Sequence, residues 1–244
     1  MKISKKTIII IAAVIAALGI GATLFALFGL PALRDGNDAP ETTEPPIIYA
    51  VRVGDAYLGA EEWAYYFFKA YIAEMAAQPG DLNATESPFG QWKEDENQPW
   101  ELVLQRVTNE AIQRTLTLYQ EAVKANVTLP REEVDQALEA VKYQAMAAGM
   151  DLPEYLNETY GEGIDEEVLR RLMERECLAA AYAEQLGDGL AEWLANAREE
   201  YPFMIGETEA SAAMALAREM CDSYIGRMLA QLYAQETNTD IIEE

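Results

Sequence analysis

The sequence predicts a mainly α-helical protein: a transmembrane helix followed by an irregular helical bundle with a long helical hairpin and at most one short strand. From Pro99 to Gly149, two amphipathic runs carry apolar residues at steps of three, four and seven, the spacing that lines one face of a helix. A break at residues 125–130 separates the runs, which favours a hairpin. Since each arm has one apolar stripe, flanking segments must complete the core.

The first 33 residues predict a cytoplasmic stub and a membrane anchor. Residues 7–30 are almost wholly apolar, and at about 1.5 Å per residue they rise about 36 Å, enough to cross the bilayer core. Lys2, Lys5 and Lys6 place the N-terminus in the cytoplasm and the main domain outside the cell membrane. An uncleaved single-pass anchor is favoured over a cleaved signal peptide because no small-x-small cleavage site follows. Residues 34–46, rich in Pro and acidic residues, indicate a flexible linker.

After the linker, residues 47–53 form the single strand-like run, which ends at Gly54. A helix rich in aromatic residues follows and ends near residues 78–80. Because rings occupy consecutive positions, part of the set must face away from a single core contact. Two interpretations remain: a helix that packs in the core, placed first, and a wall that binds peptides, placed second.

Beyond the hairpin, the sequence predicts three more helices and a final long one. Asp151 begins a short helix that stops at Tyr160, and Asp165 is the expected N-cap of the next. A brief helix over residues 190–200, a turn over residues 201–206 and a last helix over residues 208–235 follow, with an acidic tail at residues 237–244. Cys177 and Cys221 fall in separate helices; two small core residues are preferred over a disulfide, which an extracytoplasmic location would permit.

The composition argues against several functions. A formal charge of −24 disfavours a nucleic-acid partner, because backbone binding needs clustered Lys and Arg. The chain has no histidine, which removes Ser-His-Asp and Cys-His catalysis and imidazole-based zinc sites. Acidic residues are abundant, but no pair stands out as a general acid and base. We therefore predict no catalytic residues, no cofactor and no metal site.

Several phrases of the sequence resemble the SurA/PrsA-type extracytoplasmic foldases. Residues 53–55 and 61–63 are similar to the family's strand, turn and acidic-aromatic helix start, and residues 128–134 are similar to its Thr-x-x-Glu-Glu-Val phrase. The resemblance covers roughly residues 51–186 and implies a SurA N-terminal-like chaperone domain, here placed at residues 47–236. Many members also carry a parvulin isomerase domain. Only residues 187–206 separate the bundle from the last helix, so the resemblance implies a relative without isomerase activity, whose final helix packs back on the hairpin.

These observations predict a membrane-anchored chaperone-like protein that holds unfolded or partly folded secreted polypeptides. An apolar cradle between the hairpin and the aromatic helix would supply non-directional contacts. The candidate peptide-binding residues are aromatic side chains and methionines, which adapt to varied partners: Trp63, Tyr66, Phe67, Tyr71, Met146 and Met150. Each of them is equally well explained as ordinary core. The alternative function is a helical scaffold or partner-docking subunit of a cell-envelope complex.

Overall fold

The computed structural model describes residues 48–77, 82–129, 131–206 and 208–240. The predicted anchor at residues 7–30, the linker at residues 34–46 and the last four residues of the acidic tail lie outside the described residues. Within the described ranges, none of the helices has the length and apolar character needed to cross a membrane. Most of the described chain is helical, which confirms the predicted mainly α class.

Two small strands precede the first described helix, and the other three lie between helices. In chain order, the elements are β1 Val51–Val53, β2 Ala56–Leu58, α1 Ala60–Ala77, β3 Trp92–Lys93, β4 Gln98–Pro99, α2 Trp100–Lys124, α3 Arg131–Ala147, α4 Leu152–Tyr160, α5 Glu166–Leu186, a 3-10 turn Gly187–Gly189, α6 Leu190–Ala197, β5 Phe203–Ile205 and α7 Glu209–Asp240.

Two helix starts follow from side-chain caps. Asp165 is the N-cap of α5, as predicted, and its Oδ1 accepts a hydrogen bond from the backbone N–H of Val168 at 2.8 Å. Asp151 caps α4 in the same way, accepting from Glu154 N–H at 2.9 Å. Each carboxylate satisfies a backbone donor that the first turn of a helix leaves free.

The prediction of at most one short strand is wrong, because the described residues contain five. β1 is the middle strand of an antiparallel sheet in the order β2-β1-β5, and β3 pairs with β4. Gly54 closes the β1-β2 hairpin with φ of 56°, and a Cβ at this position would lie 2.7 Å from the Tyr201 ring. β5 lies in the segment that the sequence predicted as a turn. The strand could not be predicted because the three residues between Pro202 and Gly206 are too few to show a periodic pattern.

Both arms of the predicted hairpin are helices, but the prediction that they pair is wrong. α2 packs chiefly on α5 and α1, and α3 packs on α5 and α4, while contacts between α2 and α3 are sparse among the described residues. The break between them is a turn in which Asn126 adopts φ of 55°. An amphipathic stripe requires a partner but does not specify which helix supplies it, and here α5 covers both arms.

The final helix also departs from the prediction. Among the described residues, α7 packs chiefly on α1 and also on α4, whereas its contacts with the two arms of the predicted hairpin are sparse. Cys221 is buried in α7 and Cys177 is half-buried in α5, and both are free thiols. Burial raises the pKa of each thiol. The structure therefore holds two separate cysteines without a disulfide.

Candidate functional site

The aromatic helix α1 lies inside the core. Trp63, Tyr66, Phe67 and Tyr71, four of the six candidate peptide-binding residues, are between 0% and 6% exposed. The indole N–H of Trp63 donates to Asn109 Oδ1 at 2.9 Å. The Phe67 ring stacks on Phe89, with 5.5 Å between ring centroids. The structure thus places these residues as the core interpretation expects, with no open wall along α1.

Rings at consecutive positions of α1 are all buried because the helix is covered on several sides. α2 packs along one side of it and α7 along another. On the α7 side, Tyr224 makes edge-on contacts with Phe68 and Tyr71, at centroid distances of 5.6 and 6.3 Å. A single-sided stripe is therefore not expected for this helix, which explains why periodicity alone left its role open.

Two buried phenols of α1 have no hydrogen-bond partner among the described residues. They are the hydroxyls of Tyr66 and Tyr71. Burial is the largest cause that raises the pKa of each phenol. Both hydroxyls therefore stay protonated at neutral pH.

Met146 lies on the surface, at the C-terminal end of α3. It is 70% exposed, and Tyr143, one turn before it, is 69% exposed. With Ala140 and Ala147 these residues occupy one side of the helix, at steps of three and four. We call this surface the α3 patch: Ala140, Tyr143, Met146 and Ala147. The opposite side of α3 is buried through Val134, Leu138, Val141 and Ala145.

Met150, the last candidate residue, is not part of the α3 patch. It follows Gly149, which ends the helix with φ of 74°, and its N–H donates to the carbonyl of Ala145 at 3.0 Å. That bond turns the chain back over the last helical turn, a common way for a helix to end. Met150 is half-buried there. Of the six candidates, only Met146 is prominently exposed.

Sequence reasoning missed Tyr143. A signal was available: Tyr143 lies three residues before Met146, whereas Val141 and Ala145 fall on the buried side. On a helical projection, the two sets of side chains point in opposite directions. Assigning both faces of α3, and not only its apolar stripe, would have placed Tyr143 beside Met146.

Polar contacts hold α3 on its neighbours. Arg170 of α5 pairs with Asp135 at 2.6 Å, and the Tyr155 hydroxyl of α4 donates to Gln144 at 3.1 Å. Lys142, beside the α3 patch, lies 3.1 Å from Glu139 and 3.5 Å from Glu166. The hydrogen bond with Glu139 is the largest cause that raises the pKa of Lys142. The patch is therefore presented by a helix fixed on two sides, with charged side chains at its border.

Two cavities lie elsewhere, around Asn157 and Gly161. One, of about 320 Å³, lies between α4 and α7, and the other, of about 390 Å³, lies between α4 and the start of α5. None of the six candidate residues lines either cavity. Across the described ranges, no cluster of three or more Cys, Asp or Glu side chains is placed to hold a metal ion.

Comparison with known proteins adds no relative: no protein-family model, curated protein or solved structure matches this chain. The resemblance to the SurA/PrsA-type foldases therefore rests on the sequence phrases alone.

Proposed function

We propose that this protein is a chaperone-like holder of unfolded or partly folded polypeptides, and that the α3 patch contacts them. One observation carries the proposal: Tyr143 and Met146 lie side by side, each about 70% exposed, on a helix whose opposite face is fully used in packing. Single exposed apolar residues are ordinary, but adjacent ones on a rigid helix are typical of interaction surfaces. Methionine and tyrosine also suit varied partners, because both offer large contact areas with few directional demands.

The acidic surface supports the same function. A formal charge of −24 makes copies of the protein repel one another, which limits association through exposed apolar residues. Burial of apolar area contributes roughly 25 cal/mol per Å², so the contact of only two large apolar side chains gives weak, reversible binding. Weak and non-directional contact is what a holder of many different clients requires. The remaining parts of the proposal, a membrane anchor at residues 7–30, an extracytoplasmic domain and no isomerase activity, rest on the sequence.

The test uses the full chain in lipid nanodiscs, mixed with a chemically denatured client, and follows aggregation by light scattering. We expect the wild-type protein to suppress aggregation at near-stoichiometric ratio. The double variant Tyr143→Ser/Met146→Ser should lose most of this effect, because it removes the two large apolar side chains without touching the core face of α3.

Leu102 and Val123 offer a matched control, since both are about half-exposed apolar residues on α2. Leu102→Ser/Val123→Ser should suppress aggregation as the wild type does. Equal suppression by both double variants would contradict a role for the α3 patch. If the wild type protects none of several clients, the chaperone function itself is wrong.

A second function, a scaffold or partner-docking subunit of a cell-envelope complex, is favoured by the composition of the patch. Tyr143 and Met146 are exposed on the same helix, and aromatic residues and Met are enriched at the centre of protein–protein interfaces. Binding to a single envelope protein, lost in Tyr143→Ser/Met146→Ser and without protection of denatured clients, would support this function over the first.

A further inference from the structure

The three-stranded sheet ends at β5, whose outer edge has backbone groups that pair with no described strand. Ile205 lies opposite Val51 of β1, and Phe203 lies opposite Val53. The N–H of Gly206 donates to Ala50 at 2.9 Å. In an antiparallel ladder, hydrogen-bonded pairs alternate with pairs that exchange no bonds. Since the pair formed by residues 50 and 206 is bonded, the N–H and C=O groups of Phe203 and Ile205 point away from β1.

No described strand pairs with this outer edge of β5. The edge also carries apolar side chains: Phe203 and Met204 are half-exposed, and Ile205 is 57% exposed. The outward N–H and C=O groups of Phe203 and Ile205 lie two residues apart, at about 6.6 Å along the strand, which is the repeat at which one edge of an extended polypeptide backbone presents its own donors and acceptors. Other ligands lack that alternating pattern of donors and acceptors.

We propose that the β5 edge binds an extended segment of a client polypeptide by adding it as a fourth strand. This inference rests on the proposed function and names the conformation in which a client binds. Main-chain hydrogen bonds supply affinity in such complexes whatever the sequence, which suits a protein with many clients.

The charges around β5 specify the segment further. Glu199 and Glu200 precede the strand and Glu209 follows it, and Lys124 offsets part of this charge by lying 3.4 Å from Glu200. Acidic side chains therefore lie close in the sequence to both ends of the edge. The preferred segment has alternating apolar residues flanked by Lys or Arg, because rim charges of opposite sign steer and orient a partner.

Ile205→Pro tests the edge directly. The ring removes a backbone N–H that points outward and leaves the bonds between β5 and β1 intact, and proline is tolerated on edge strands with this orientation. Ile205→Thr is the matched control, since it keeps the N–H and a β-branched side chain. The probe is a fluorescein-labelled peptide of alternating valine and threonine with a lysine at each end, and its binding to the full chain in nanodiscs is followed by anisotropy.

We expect Ile205→Pro to weaken peptide binding about tenfold, the loss that corresponds to roughly one hydrogen bond, and Ile205→Thr to bind like the wild type. Peptides N-methylated at alternate residues provide a test that does not depend on the variant's folding. Methylation of the set that faces β5 should abolish binding, and methylation of the other set should not. Equal binding of both methylated sets, or wild-type affinity in a folded Ile205→Pro protein, would overturn the proposal.

Two outcomes separate this proposal from the others. If Ile205→Pro binds peptide normally while Tyr143→Ser/Met146→Ser loses protection of clients, strand addition is wrong and the chaperone function stands. If sedimentation shows a wild-type dimer that Ile205→Pro abolishes, and the peptide does not bind, the edge is occupied by a second copy of this chain and the proposal is overturned.

Discussion

Replacing Phe67 with alanine is expected to lower the free energy of unfolding by about 3–5 kcal/mol, the usual cost of removing a large buried side chain. Phe67 has no exposed surface, stacks on Phe89, and lies 5.4 Å from Trp63 between ring centroids. The loss combines the transfer of apolar surface with the cavity left behind, since the packed rings of Trp63 and Phe89 restrict relaxation. Urea unfolding followed by circular dichroism measures it.

Met146→Ala is the matched control. It also shortens a large apolar side chain, but Met146 is 70% exposed, so its unfolding free energy should change by no more than about 0.5 kcal/mol. Client protection per folded molecule should show the reverse pattern. Met146→Ala should reduce it, and Phe67→Ala should leave it unchanged. A stable Phe67→Ala protein that has lost client binding would mean that α1 is a binding wall after all.

Removing the Glu62 side chain is expected to have the second largest effect. Its Oε1 accepts from Arg171 at 3.2 Å and from Arg175 at 3.1 Å, and these contacts connect α1 with α5. Its Oε2 accepts from the backbone N–H of Gly59 at 3.2 Å, so the same side chain also completes the N-terminal cap of α1. The side chains of Glu62 and Arg175 are 12% and 18% exposed.

We expect Glu62→Ala to cost about 3 kcal/mol, at the lower end for a buried charge that loses its partner, because Arg171 keeps contact with water. Glu62→Gln should cost less, since the amide oxygen still accepts from Gly59. Glu61→Gln is the control. Glu61 is exposed on the same turn, so this substitution should barely change the unfolding free energy of the protein. Equal stabilities for Glu61→Gln and Glu62→Gln would contradict a role for the ion pairs.

The parts of the fold that follow from local chemistry were predictable. Asp165 caps α5 because a short acidic side chain precedes an apolar period, and α1 ends at Ala77, close to the end near residues 78–80 that the sequence predicts. Both signals lie within a few residues of the feature that they specify. The mainly helical class follows in the same way from the sum of such segments.

Features that depend on distant partners were not predictable. β5 exists because β1, about 150 residues earlier in the chain, offers it a pairing edge, and three residues carry no period of their own. The apolar stripes of α2 and α3 indicated that each helix is covered, but not that α5 covers both. The same limit applies to the site: composition singled out α1 as rich in aromatics, while burial by α7 and α2 removed those rings from the surface.

The most direct test of the account is photo-crosslinking to an unfolded client. A photoreactive phenylalanine analogue is placed in the full chain at position 146, in the α3 patch, at position 123, an exposed apolar site on α2, or at position 67, in the core. If the α3 patch binds clients, position 146 should give abundant client adducts and the other two positions few. Adducts from position 67, or equal yields from positions 146 and 123, would contradict client binding by the α3 patch.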